Sequence, residues 1–209
     1  ATIIAWTDAT LNFWMGCAKV SAGCRNCYAE TLTKNRMGLD LWGVAAPRQV
    51  TKAPWANVLK WQREAARNPA GVMGPDGPRL VFVGSLMDWA EDRPDLVAPR
   101  ARMWDVIRAC PDIHFQLLTK RAENIARMLP ADWGDGWPNV WLGTSIEDMR
   151  VATRADILRR VRAVVRFISY EPALEAVTFA PWLAPRCQGC GAYRVRGDED
   201  HAVIVPTGD

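Results

Sequence analysis

The fold is decided by four segments that share one pattern: LVFVGSLMD at residues 80–88, HFQLLTKR at 114–121, VWLGTSIED at 140–148 and VVRFISYEP at 164–172. Each begins with apolar, mostly β-branched or aromatic residues, as strands buried on both faces do, and ends in small or polar residues. A stretch with helical character follows each of the first three segments. This alternation predicts βα units whose strands run parallel.

The pattern continues less clearly toward both ends of the chain. A strand is expected near residues 11–15, helices over 28–36 and 55–67, and a last strand over 201–205. The count is about six parallel strands, which fits a partial barrel or an open sheet. We predict an α/β fold, a partial (β/α) barrel of the TIM type with about six parallel strands.

Length and composition indicate a compact protein. The chain has 209 residues, 49% of them hydrophobic, which suffices to bury a core. We predict that residues 1–180 form the barrel and that residues 181–209 form a cysteine-bearing C-terminal excursion with the last strand. No apolar run approaches the roughly 20 residues that cross a bilayer, and residues 1–10 lack the basic start of a signal peptide. We therefore expect a cytoplasmic protein without a membrane partner, in the host cytoplasm if a phage encodes it.

Polar residues follow the predicted strands at their carboxyl ends, where parallel α/β folds bind ligands. The candidates for cofactor binding are Ser85, Asp88, Thr119, Lys120, Thr144, Ser145, Glu147, Ser169, Tyr170 and Glu171. For any one of them, the alternative is an ordinary helix cap. As a set, they favour a pocket.

Three cysteines lie within eleven residues in GCAKVSAGCRNCYAE, residues 16–30. Cys17, Cys24 and Cys27 supply three thiolates, and in a reducing compartment such a group indicates metal ligands rather than disulfides. A four-iron cluster held by three cysteines keeps one iron open, whereas structural zinc normally has four protein ligands. The trio favours an iron–sulfur cluster, and zinc stays an alternative if another residue completes the site.

A second pair, Cys187 and Cys190, forms a CxxC knuckle. Its glycines suit a zinc site, with His201 or a carboxylate as a further ligand, but two free thiols are the alternative. Cys110 stands alone at the end of an apolar helical stretch, where we expect it in the core.

The ordered motifs resemble a known family. WTDATLN at residues 6–12, the cysteine motif and the four strand-end segments are similar to a phage-encoded, radical-SAM-like family of unknown function, over residues 3 to about 175. The resemblance implies that Cys17, Cys24 and Cys27 bind a 4Fe-4S cluster whose open iron takes the methionine moiety of S-adenosylmethionine. It also implies that reduction cleaves the sulfonium to a 5'-deoxyadenosyl radical.

These observations give one leading hypothesis and two alternatives. The leading one is an iron–sulfur, S-adenosylmethionine-dependent radical enzyme that modifies nucleic acid or a nucleotide, helped by a basic stripe over residues 150–166 and by some of the eleven tryptophans. The first alternative is a non-catalytic, metal-stabilised phage protein that binds nucleic acid. The second is a protein-binding phage factor that reuses the barrel.

Overall fold

A computed structural model describes residue 2 and residues 4–52, 54–67, 79–186, 193–195 and 201–205. The strands are β1 (Ala9–Leu11), β2 (Trp14–Met15), β3 (Gln49–Val50), β4 (Arg79–Val83), β5 (Ile113–Thr119), β6 (Val140–Ser145), β7 (Val165–Ser169), β8 (Leu183–Arg186), β9 (Tyr193–Val195) and β10 (His201–Val205). The α-helices are α1 (Tyr28–Met37), α2 (Pro54–Ala66), α3 (Val97–Arg108), α4 (Ile125–Met128) and α5 (Thr153–Arg159).

The main sheet has the order β1-β4-β5-β6-β7-β10-β9-β8. Strands β1, β4, β5, β6 and β7 run parallel, and β10 pairs parallel to β7. Strands β9 and β8 continue the sheet antiparallel, while β2 and β3 form a separate antiparallel pair. The predicted α/β class with a parallel sheet is confirmed, and among the described strands the sheet ends at β1 and β8 without closing into a barrel.

The four segments that predicted the fold form β4 to β7. Two of the predicted strands differ from the observed ones in where they begin or end. The third strand is longer than expected, because Gly143, Thr144 and Ser145 pair with the end of β7 and so extend β6. The strand expected near residues 11–15 is two short strands. The backbone turns between them because Asn12 and Phe13 accept hydrogen bonds from Thr51.

The core lies between one face of the parallel sheet and the helices. Phe115 and Leu117 of β5 are fully buried there against Met103 and Ile107 of α3. Burying each such side chain contributes about 1.5–3 kcal/mol. Because successive side chains of a strand point to opposite faces of the sheet, the other strand residues lie on the opposite face.

That opposite face, which we call the inner face, carries Phe82, Gln116, Gly143 and Phe167. The Phe167 ring lies over Gly143, where a Cβ would come within 2.3 Å of it. The Trp6 ring lies 4.8 Å from that of Phe82, so the segment before β1 covers part of the inner face. The carboxyl ends are covered by a different segment, which contains the three clustered cysteines.

None of the described helices has the length and apolar character needed to cross a membrane.

Candidate functional site

The cysteine segment, residues 16–30, is tied to the carboxyl ends of three neighbouring strands. After β4, the Gly16 amide donates to the Leu86 carbonyl at 3.0 Å. After β5, Arg121 donates to the Ala18 carbonyl at 2.7 Å. After β6, Glu147 accepts a hydrogen bond from Ser21. The segment therefore lies along the sheet edge at which parallel α/β proteins bind ligands.

Cys17 is the thiol with the most charged surroundings. The Arg121 guanidinium donates from Nη1 to Cys17 Sγ at 3.4 Å and to Asp88 Oδ2 at 2.7 Å. The neighbouring Ala18 amide donates to Glu91 Oε1 at 3.1 Å. Contacts to the thiol and to both backbone groups of the next residue fix this part of the cysteine segment.

Burial and the nearby Asp88 carboxylate together raise the pKa of the Cys17 thiol to about 12, although Arg121 acts in the opposite direction. The free thiol is consequently protonated at neutral pH. Since the thiolate is the metal-binding form, a bound metal must displace this proton.

A buried network of charges lies behind Cys17. Arg48 donates to both carboxylate oxygens of Glu91, at 2.7 and 2.8 Å, and Arg121 lies 3.5 Å from Glu91. Asp88 completes the network through its ion pair with Arg121. Removing one partner of a buried ion pair costs about 3–5 kcal/mol, because it leaves the other charge without compensation.

Cys24 ends a 3-10 turn, Ala22–Cys24, that packs directly on Glu147. Glu147 is fully buried, and Arg154 donates to its Oε2 at 2.9 Å. A Cβ on Gly23 would lie 2.9 Å from three atoms of the Glu147 side chain. Only glycine leaves room for this approach, so the turn that carries Cys24 is fitted to a buried carboxylate.

Cys27 is the N-cap residue of α1. The next residue, Tyr28, donates from its hydroxyl to the Ser85 carbonyl at 2.8 Å. Lys19 and Glu30 form an ion pair at 2.7 Å across the cysteine segment. These contacts hold the start of α1 beside the end of β4.

The three thiols are free and partly buried. In the described part of the chain, no three His, Cys, Asp or Glu side chains are grouped as a metal site requires. Cluster binding by the trio stays a prediction. Cys187 and Cys190 lie outside the described residues, whereas Cys110 is buried in the core, as expected.

Several predicted pocket residues lie on the inner side of the strand ends. Ser145 pairs with Ser169 across β6 and β7. Lys120 donates from Nζ to the Glu171 carbonyl at 3.4 Å, which joins the ends of β5 and β7. Burial raises the pKa of the Glu171 carboxyl, and Lys120 and the Ser169 hydroxyl partly offset this effect. Near β4, the Ser85 hydroxyl accepts from Asn12 at 2.8 Å.

Four other predicted residues are buried and hydrogen-bonded within the protein. Asp88 accepts from the Thr119 hydroxyl at 2.6 Å, from two backbone amides and from Arg121. The Thr144 hydroxyl donates to the Thr119 carbonyl at 2.9 Å. Glu147, the fourth, binds Ser21 and Arg154. These side chains stabilise the strand ends, and cofactor contacts for them remain predictions.

Sequence reasoning missed the residues that hold the cysteine segment. Arg121 could equally have been part of a solvated helix face, but it is 6% exposed. Arg48 and Glu91 are 43 residues apart, so no local pattern joins them. The available signal was only that Arg121 follows a predicted strand end, where a charged residue has several neighbouring elements within reach.

Comparison with known proteins gives a family and no further relative. The sequence model of the family described as "Protein of unknown function (DUF5131)" matches residues 1–197, and the chain therefore belongs to this family. Neither the curated proteins nor the solved structures include a match to this chain.

Proposed function

We propose that this member of the DUF5131 family is an iron–sulfur protein that uses S-adenosylmethionine in a radical reaction, with Cys17, Cys24 and Cys27 as cluster ligands. One observation carries the proposal: the segment with all three thiols lies along the carboxyl edge of a parallel sheet, fixed to the ends of three strands. A three-thiolate set leaves one iron open for a ligand.

The donor set fits such a cluster chemically. Three thiolates and a reduced cluster carry net negative charge, and the Arg121 guanidinium next to Cys17 supplies a compensating cation. Because the thiolate is the ligand, Cys17 would release its proton when the metal binds. When bound, the cluster supplies one electron for cleaving the carbon–sulfur bond of the sulfonium.

The inner side of the strand ends provides polar groups for the rest of the cofactor. In this proposal Lys120 binds a carboxylate or phosphate, while Ser85 and Glu171 bind hydroxyl or amino groups. Asn12 orients the Ser85 hydroxyl, and Ser169 lies beside the Glu171 carboxyl. These residues bind and orient the ligand, and the adjoining Phe167 excludes water from the inner face.

The proposed substrate is nucleic acid or a nucleotide, in the phage context that the family resemblance suggests. Arg159, Arg160 and Arg162 of the predicted basic stripe are exposed, but they lie between α5 and β7, at the amino ends of the strands and away from the cysteine segment. Arg154 and Arg166 of the same stripe are buried, so they do not contribute to its surface. Arg150, which follows β6, is exposed near the carboxyl ends of the strands, but it is ion-paired with Asp148. The predicted stripe therefore lends this substrate little support, and the choice of substrate rests mainly on the family resemblance.

Metal analysis of protein purified without oxygen tests the proposal. We expect a brown protein with about four irons per chain and reductive cleavage of S-adenosylmethionine. Cys17→Ala, Cys24→Ala and Cys27→Ala should each lose most of the iron. Cys110→Ser is the matched control, because it removes a buried thiol of the core and should keep the cluster.

Two outcomes contradict the proposal. Stoichiometric zinc in a colourless wild-type protein would support the metal-stabilised nucleic-acid-binding alternative instead. Iron content in the Cys24→Ala variant as high as in the Cys110→Ser control would show that iron binding does not depend on the cysteine segment. A Cys187→Ser/Cys190→Ser variant separates any contribution of the second pair.

A further inference from the structure

We propose that Arg121 is a positioning residue that fixes Cys17 for the cluster and raises the reduction potential of that cluster through a hydrogen bond to the Cys17 sulfur. The inference rests on the proposed function, because it concerns the cluster that the three cysteines bind. It assigns a role to a residue outside the ligand set.

The position of Arg121 is set by several independent contacts. Its guanidinium donates to Asp88 at 2.7 Å, to the Ala18 carbonyl at 2.7 Å and to Cys17 Sγ at 3.4 Å. Its backbone amide donates to the Thr119 hydroxyl at 2.9 Å, and its side chain is only 7% exposed. A side chain held at both ends cannot turn away from the sulfur without breaking buried hydrogen bonds.

The carboxylates behind Arg121 hold it independently of Cys17. Asp88 is oriented by the Thr119 hydroxyl and by the Ala90 amide, and Glu91 is paired with Arg48. The guanidinium therefore has a fixed place before any ligand binds. Such preorganisation by outer residues is the usual means by which proteins orient metal ligands and tune the metal.

A fixed cation next to one ligand has a defined electrostatic effect. Reduction adds one electron, and therefore one negative charge, to the cluster and its thiolates. Hydrogen bonds to the sulfurs and local positive charge stabilise this more negative form, which raises the reduction potential. The effect is strong at buried positions, where screening by water is weak.

Redox titration of the full-length, oxygen-protected protein with dithionite tests the inference. Arg121→Gln should shift the reduction equilibrium of the cluster at least tenfold toward the oxidised form, about 59 mV for a one-electron couple. Arg121→Lys keeps the positive charge, so the reduction potential of its cluster should lie between those of the wild type and of Arg121→Gln. Arg100→Gln is the matched control: Arg100 is 7% exposed and donates to the Trp89 carbonyl at 2.8 Å, so its loss should shift the potential less.

A measurement on the wild-type protein covers the case in which the variants fail to fold. With nitrogen-15-labelled arginine, electron–nuclear double resonance of the reduced cluster should reveal a coupled guanidinium nitrogen. Two results overturn the inference and leave the proposed function intact. One is a reduced cluster that shows no coupled guanidinium nitrogen. The other is a shift of the reduction potential in Arg121→Gln that is no larger than the shift in Arg100→Gln. A wild-type chain that binds no iron overturns both the inference and the proposed function.

Discussion

At the scale of single residues, the site consists of thiols in different surroundings. Cys17 is partly buried beside the charged side chains of Arg121 and Asp88, whereas Cys27 caps a helix beside an exposed tyrosine. Burial disfavours the charged form of a thiol, because the thiolate loses its hydration. The rate at which Cys17 is alkylated should therefore depend on its burial and on its charged neighbours.

We predict slow alkylation of Cys17 in the native, metal-free protein. Its pKa is raised from 9.0 to about 12, so its thiolate fraction at pH 8 falls about a thousandfold relative to the unfolded chain. Iodoacetamide labelling, read by peptide mass spectrometry in buffer and in urea, measures the ratio. Equal rates under the two conditions would contradict the burial of this thiol.

The same shift predicts how stability depends on pH. Because the folded-state pKa lies above the unfolded value, the unfolded chain releases the Cys17 proton first, so the contribution is intact below pH 9 and is lost as pH rises toward 12. Urea unfolding of the wild type and of Cys17→Ala between pH 8 and 10 checks the sign. The wild type should lose stability more steeply than the variant.

At the scale of elements, a helical turn fitted to a strand end places Cys24. The turn Ala22–Cys24 approaches Glu147 so closely that Gly23 has no space for a side chain. Arg154 of α5 holds Glu147 from the other side, so the carboxylate cannot move away. The placement of Cys24 thus depends on β6 and α5 as well as on its own loop.

Gly23→Ala should disturb this contact. We expect a loss of about 1–3 kcal/mol in the free energy of unfolding, the range typical of overpacking, together with lower iron incorporation. Chemical denaturation and iron analysis measure the two effects. Unchanged stability and unchanged iron content in Gly23→Ala would show that this contact does not limit the position of the turn.

At the scale of the whole molecule, the cysteine segment contributes few side chains to the core, whereas the parallel sheet that holds it contributes many. The centre of the sheet, β5 and β6, has paired strands on both sides and fully buried side chains. The cysteine segment is joined to the sheet mainly by polar contacts of a few side chains. Regions of this kind open locally at lower free energy than the core does.

Cluster loading should therefore protect the cysteine segment selectively. We expect slower amide hydrogen exchange over residues 16–37 in the reconstituted protein than in the metal-free protein, because binding stabilises only conformations that bring the three thiols together. Exchange in β5 and β6 should change little. Uniform slowing across the chain would instead indicate that the metal controls global folding.

The strand runs and the cysteine spacing can be recognised from the amino-acid sequence alone. Apolar runs that end in small and polar residues predicted β4, β5 and β7 nearly to their bounds, and the first half of β6, because buried parallel strands require such runs. Local spacing also identified the trio of cysteines, and the strand ends identified the sheet edge that carries polar residues. Both features depend on residues close together in the chain, and so they can be recognised without a structure.

The packing of distant elements determines which polar residues lie on the inner side of the strand ends and which ones hold the cysteine segment. Asp88 and Thr119 lie at strand ends just as Ser85 and Lys120 do, yet the first pair is buried and joined by a hydrogen bond of 2.6 Å, whereas the second pair is only half-buried. Arg121 and Cys17 are 104 residues apart, and their contact exists only because β5 ends beside the cysteine segment. Charge pairing in a protein interior depends on the packing of distant elements, and no local sequence pattern records it.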